Sequence, residues 1–189
     1  PSTGALDLAL DGAICQRNLV VGADDARDGL SQQARTDARR VQRGIKAVQL
    51  SARLLGKPAI IVHGRADALV PVNHSSRAYY GATQLGGGFG PQHVRYIEVA
   101  NAQHFDAFLG FPGYNDRFVP LHVYLIRALN AMYDHLTASK ALPPSQVVRA
   151  VPRGAGAPPI TASNVPNFLA DPPDGDRIVF RRGTLHVPD

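Results

Sequence analysis

The sequence predicts an α/β fold on a parallel sheet, and three observations carry that expectation. Ala59-Ile60-Ile61-Val62 is a continuous apolar run rich in β-branched residues, the texture of a strand buried on both faces. Val94 to Val99 reads as a second buried strand. Helical patterns alternate with both runs, and helix, Gly stop, buried strand is the order that a parallel sheet with covering helices demands.

The elements follow in chain order. Residues 5–20 place Leu6, Leu10, Ala13 and Ile14 at helical spacing despite Gly12, predicting a first helix. The segment from Gly22 to Gly29 is polar and turn-like. From Asp37 to Leu55 the apolar residues Val41, Ile45, Val48 and the Leu54 region recur every 3.6 residues, predicting a second helix that stops at Gly56 with Pro58 beyond. After the first strand comes a loop from His63 to Pro71, then a helix from Ser75 to Leu85, a Gly86-Gly87-Gly88 turn and the second strand. Residues 120–136 carry Leu121, Leu125, Leu129, Met132 and Leu136 on one face, which predicts a helix lying against the sheet. Pro120 is tolerated in its first turn.

From Leu142 to Asp176 the texture changes to Pro143-Pro144, Gly154-Ala155-Gly156, Pro158-Pro159 and Pro172-Pro173. That is linker chemistry, and no core is expected there. The tail from Arg177 to Val187 alternates around Arg182-Gly183 as a β-hairpin does, and would dock on the main domain. The domain expectation is therefore 1–140 for the main domain and 141–189 for a Pro-rich extension with a hairpin, with 1–38 as candidate cap or lid helices.

With 189 residues, 44% of them hydrophobic and 19% charged, the chain belongs to the globular class. No apolar run approaches the ~18 residues of a membrane span, so no membrane partner is expected. The single Cys15 excludes an intrachain disulfide framework. A net charge of +5 and the stripe Arg35, Arg39, Arg43 raise the question of nucleic acid. No recognition motif or aromatic interleaving accompanies the arginines, so they read as the solvated face of an amphipathic helix, and no nucleic-acid partner is expected. The chain opens at Pro1 without a leader or an initiator Met, which suggests that sequence upstream is missing.

The chemistry concentrates in HGRADALVP, residues 63–71, and NAQHFDAF, residues 101–108. Each follows a strand, and each carries one residue of interest, Asp67 and His104. An acid followed by a histidine is the second half of the Ser, Asp, His order of an α/β-hydrolase triad. Ester hydrolysis needs a nucleophile, a base that takes its proton and a carboxylate that orients the base. The 37 residues between Asp67 and His104 leave room for one helix, so both loops can meet at the carboxyl edge of the sheet, where open α/β sheets place their ligands.

The competing explanations are local. Asp67 could cap a turn, and His104 could be a satisfied histidine beside Phe105 and Phe108. Asp106 could orient His104, but two positions away on a short loop it has difficulty reaching the ring productively, so Asp67 is preferred. Ser75 and Ser76 follow His74 but lack the Gly-x-Ser-x-Gly elbow, so no nucleophile is assigned. The remaining histidines, His63, His74, His93, His122 and His135 among them, show no His-x-x-x-His spacing, and a metal is not expected. His63 reads as a strand-end residue near the site loop. Gly86 to Gly90 is read as a flexible turn and not as an oxyanion loop.

The stretches GKPAIIVHGRADALVPVNHSSRAYYG, YIEVANAQHFDAF, GYNDRFVPLHVYLIRALNAMYDHL and LPPSQVVRAVPRG resemble the C-terminal part of the D-(-)-3-hydroxybutyrate oligomer hydrolases across most of residues 1–160. HGRADALVP alone is shared with many α/β-hydrolases, including tannase-like and feruloyl esterases, while VPVNHSSRAYYG and RFVPLHVYL narrow the likeness. The resemblance implies the C-terminal part of an α/β-hydrolase sheet with flanking helices. It implies a bacterial, secreted or periplasmic serine esterase that cleaves short 3-hydroxybutyrate oligomers to monomers downstream of polyhydroxybutyrate depolymerisation. Asp67 and His104 would be its acid and base, with no metal or organic cofactor. The nucleophile would lie upstream, so the expected partners are a small ester substrate and the N-terminal remainder of the same protein. The alternatives are another α/β-hydrolase esterase and a non-catalytic binding module that kept hydrolase loops.

Overall fold

Alternate strand residues pack into two separate clusters, one under each of two helices. The computed structural model describes residues 10–21, 31–85 and 93–189. Residues 5–9 of the first expected helix and the turns expected at 22–29 and 86–88 lie outside them. The chain divides into two compact units after Ser51.

The first unit contains helices α1 (Leu10–Val21) and α2 (Gln32–Val48). Ser31 starts α2: its hydroxyl accepts the Ala34 N–H at 3.1 Å, satisfying one of the helix's orphan donors. The Gln42 side chain donates to the Val20 carbonyl at 3.1 Å and so joins the two helices, with Ala38 buried. Arg35, Arg39 and Arg43 are exposed on α2. None of the described helices is long and apolar enough to cross a membrane.

The sequence expectation for α2 needs correcting at both ends. Its cap lies six residues before Asp37, and it stops at Val48, where Gln49 turns extended (φ −64°, ψ 125°). Ala52 and Leu55 have positive φ, which a helix does not admit. Leu54 matches the helical period but packs in the second unit, where its contacts are with the sheet core.

In the second unit, β1 (Ala59–Gly64), β2 (Val94–Val99) and β3 (Gln146–Val148) form a parallel sheet in the order β1-β2-β3. Helix α3 (Ser76–Leu85) connects β1 to β2, and α4 (His122–Ala138) lies between β2 and β3 in the chain. The pleat sends alternate residues to opposite faces. Ile60, Val62, Ile97, Val99 and Val148 meet Tyr124 of α4 and Val119, Ala150 and Val165. Ala59, Ile61, Val94, Tyr96 and Val147 meet Tyr80 of α3 and Ile178.

The third strand overturns the expectation that the Pro-rich stretch builds no core. Leu142, Ser145–Val148, Ala150, Val165, Pro172 and Ile178 are all buried. Pro143 and Pro144 precede the strand, where no ladder hydrogen bond is lost. The Gln146 amide donates to the carbonyls of Pro144 (3.0 Å) and Leu169 (2.9 Å) and accepts the Leu169 N–H (2.9 Å). Residues 144–169 are thereby tied to the sheet. The expected hairpin forms from β4 (Val179–Arg181) and β5 (Thr184–His186), turning through Arg182 and Gly183, both at positive φ. Leu185 and Val187 dock it on the α3 side of the core.

Helix α4 lies against the sheet through a face other than the expected one. Tyr124 and Ala128 are buried, and Tyr124 packs tilted against Phe168 with Arg127 5.0 Å above its ring. The small Ala128 lets the helix approach closely. Leu125, Leu129 and Leu136 of the expected face are uncovered, together with Ile126 and Tyr133; Leu129 is 56% and Tyr133 68% exposed.

Candidate active site

The site is built where β1 and β2 end. Gly64 closes β1 against the loop after β2 so tightly that a Cβ would collide with the carbonyl of Ala102, so only glycine fits. That approach lets Arg65 N–H donate to the Val99 carbonyl (2.8 Å) and Ala66 N–H to the Ala102 carbonyl (3.0 Å). The Gln103 side chain adds a third tie by accepting the Ala68 N–H at 3.3 Å. Two loops distant in sequence are laced together, one carrying Asp67 and the other His104.

Asp67 is buried, its side chain 1% exposed. Its Oδ1 accepts the backbone N–H groups of Leu69 (2.9 Å) and Val70 (2.8 Å), fixing the carboxylate to its own turn. Its Oδ2 accepts His104 Nδ1 at 2.6 Å and His63 Nε2 at 2.9 Å. Burial alone would raise the Asp67 pKa, but the Val70 N–H, the His104 and His63 rings and the Leu69 N–H together hold it below its ordinary 3.8. An ionised carboxylate only accepts, so His104 carries its proton on Nδ1 and keeps Nε2 as the basic nitrogen. The His104 side chain is 30% exposed, with the Phe105 ring set edge-on at 4.2 Å. Beside it opens a mostly apolar depression of about 420 Å³ lined by Val62, His104, Phe105, Asp106, Leu121, His122 and Leu125.

The local alternatives resolve by geometry. Asp106 caps α4, accepting the Leu121 N–H at 2.6 Å and the His122 N–H at 3.1 Å, while Asp67 holds His104. Ser75 donates to the Pro71 carbonyl, and Ser76 is buried against the Tyr96 hydroxyl. Both serines have structural partners, and neither hydrogen-bonds to His104. His74 and His122 are exposed. The stretch Gly86 to Gly90 lies outside the described residues.

Sequence reasoning missed the support around the pair. Glu98 is fully buried on β2, yet accepts from Arg77 Nε (2.8 Å) and Nη2 (2.6 Å), from Arg65 Nε and from the Tyr96 hydroxyl (2.6 Å). Burial would raise Glu98, but Arg77, Tyr96 and Arg65 outweigh it and hold the pKa below the ordinary 4.5. Arg65 also donates to the Pro188 carbonyl at 2.6 Å, tying the acid-bearing loop to the C-terminal tail. One acidic residue inside the apolar run YIEV was the available signal, because a buried charge demands a partner. For His63 the signal was its position four residues before Asp67.

Fold and site together define an α/β protein that presents a buried acid and a half-exposed histidine, hydrogen-bonded to each other, at the carboxyl end of a parallel sheet. The family model for 3HB-oligomer hydrolase (3HBOH) matches residues 1–189, and the chain belongs to that family. It is 52% identical over 196 residues to the D-(-)-3-hydroxybutyrate oligomer hydrolase of an Azoarcus species, covering all of this chain and 26% of that protein. It is 50% identical over 194 residues to the enzyme of the same name from Cupriavidus necator, covering all of this chain and 25% of that protein. The chain thus spans about a quarter of the length of the curated relatives it matches. No solved structure matches it significantly.

Proposed function

We propose that this chain supplies the acid and the base of a serine esterase acting on 3-hydroxybutyrate oligomers, and works as the C-terminal part of a longer α/β-hydrolase. The observation that carries the reading is the 2.6 Å hydrogen bond from His104 Nδ1 to the buried Asp67 carboxylate. The names of the relatives supply the substrate class.

In the proposed reaction a serine from elsewhere in the whole protein attacks the ester carbonyl while His104 Nε2 takes its proton. Asp67 keeps the ring in the required tautomer and stabilises the imidazolium. The tetrahedral intermediate collapses with the proton passing from His104 to the departing 3-hydroxyl, leaving an acyl-serine. Water, deprotonated by the same nitrogen, then releases the second 3-hydroxybutyrate unit and restores the serine. The protons balance at one imidazole, and the residues described require no metal or organic cofactor for these steps.

Two structural features support a longer working protein. Among the described residues strand β1 is at the edge of its sheet, and Leu125, Leu129 and Leu136 of α4 are exposed. A bare strand edge and an apolar helix face are what the rest of a sheet and its helices would cover. The test uses the full-length protein and a 3-hydroxybutyrate dimer. Release of monomer that stops on stoichiometric labelling of one serine by an organophosphonate supports the esterase reading. Binding of the dimer without turnover would leave a binding module instead.

A further inference from the structure

Asp67 Oδ2 is shared between two imidazoles, and the reaction as proposed uses only one. His63 lies on β1, four residues before Asp67, with its side chain 13% exposed, and points Nε2 at the same oxygen that His104 engages. Because an ionised carboxylate can only accept, His63 carries a proton on Nε2 and His104 on Nδ1. The two rings grip one oxygen through different nitrogens. With Leu69 and Val70 on Oδ1, the carboxylate accepts four hydrogen bonds. That fills the roughly four lone-pair sites a carboxylate offers.

From this geometry we infer that His63 is a positioning residue for the hydrolytic reaction, holding the Asp67 carboxylate in the orientation that presents Oδ2 to His104 Nδ1. Two backbone bonds to Oδ1 alone leave the other oxygen tethered only by His104, whose side chain is 30% exposed. His63 is on a strand in register with β2, opposite Glu98, so its backbone is held by the sheet. The ring therefore gives Asp67 a fixed second anchor on the oxygen that matters. A buried acceptor deprived of that donor either loses a hydrogen bond or turns to find another, and in both cases the His104 contact loosens.

The inference rests on reading Asp67 and His104 as acid and base, so His104→Ala is measured beside it in the full-length protein with the 3-hydroxybutyrate dimer. His63→Leu keeps bulk and removes the donor. It is expected to lower kcat about tenfold with KM within about twofold, because the lost interaction is one hydrogen bond acting on the reacting groups and not on substrate. The low-field proton NMR resonance of His104 Nδ1–H should move or broaden. His63→Gln places an amide N–H near the position of Nε2 and should recover most of the turnover and the resonance, whereas the shorter His63→Asn cannot reach and should not.

The Gln and Asn pair carries the test even if the leucine variant does not fold, since both keep polarity and differ only in reach. Equal turnover in those two variants, or wild-type kcat with an unmoved resonance in His63→Leu, overturns the role of His63. Near-normal turnover in His104→Ala would instead bring down the acid and base reading beneath it. The two failures are thus separable.

Discussion

Gly64 and Ala102 stand so close that no β-carbon fits between them, and this approach holds the two site loops together. The bonds from Arg65 and Ala66 to Val99 and Ala102 form across that gap, and the Asp67 and His104 loops then lie within a hydrogen bond of each other.

Gly64→Ala should therefore act on both stability and chemistry. The atoms in the way are the backbone of Ala102 and Gln103, which cannot swing aside as a side chain can. A cost of about 1–3 kcal/mol is expected from such overpacking. In the full-length protein, faster hydrogen exchange in peptides spanning 59–70 and 100–106 should accompany a fall in kcat. Unchanged exchange in both peptides would show that the approach is not tight.

Glu98 should be a strong structural position because it joins Arg65, Arg77 and Tyr96 beneath the site. Glu98→Ala leaves two guanidinium groups without their shared anion and is expected to cost about 3 kcal/mol. The pH dependence follows from the sign of the shift. The folded-state pKa of Glu98 lies below its ordinary 4.5, so the unfolded chain takes the proton first as pH falls. The stability that Glu98 contributes is complete above about 4.5 and is lost as pH drops through the folded-state value. Protection of the 94–99 amides should fall below pH ~4.5 in the wild type, and Glu98→Gln should show a shallower fall over the same window. Identical slopes would remove Glu98 as the titrating group.

Leu129 on α4 tests whether a longer protein covers the uncovered helix face. Leu129→Glu should destabilise the full-length protein by about 3 kcal/mol if the side chain is packed there, since a carboxylate would be buried without a partner. A neutral effect in thermal melts would mean that this face stays in water.

What could be read from sequence, and what could not, divides along physical lines. Strands β1 and β2 were legible because β1 carries a continuous run of β-branched residues and β2 keeps Val94, Tyr96, Ile97 and Val99 around its two charges. The hairpin was legible because Arg182-Gly183 supplies the two positive-φ positions its turn needs. That the Asp67 and His104 side chains meet was legible because their loops follow two neighbouring parallel strands. Strand β3 was hidden because it has three residues, begins just after two prolines, and is held by side-chain bonds of Ser145 and Gln146 in addition to its pairing with β2. The end of α2 was hidden because Leu54 has the right spacing but belongs to the other unit's core. The face of α4 was hidden because the helix carries more apolar residues than one stripe, and Tyr124 and Ala128 outcompete the leucines for the sheet. His63 was placed near the site loop, but its hydrogen bond to Asp67 was hidden because a strand residue and a loop residue four positions on meet only after the chain turns back.

If Asp67 and His104 act as one acid–base unit, the kinetics of Asp67→Asn, His104→Ala and the double variant in the full-length protein will show it. Each single substitution should lower kcat on a 3-hydroxybutyrate dimer by roughly 10³–10⁴-fold, and the double variant should be little worse than the poorer single, because residues that work as a unit are not additive. Turnover in His104→Ala within a few-fold of wild type, or fully multiplicative losses in the double variant, would contradict the account.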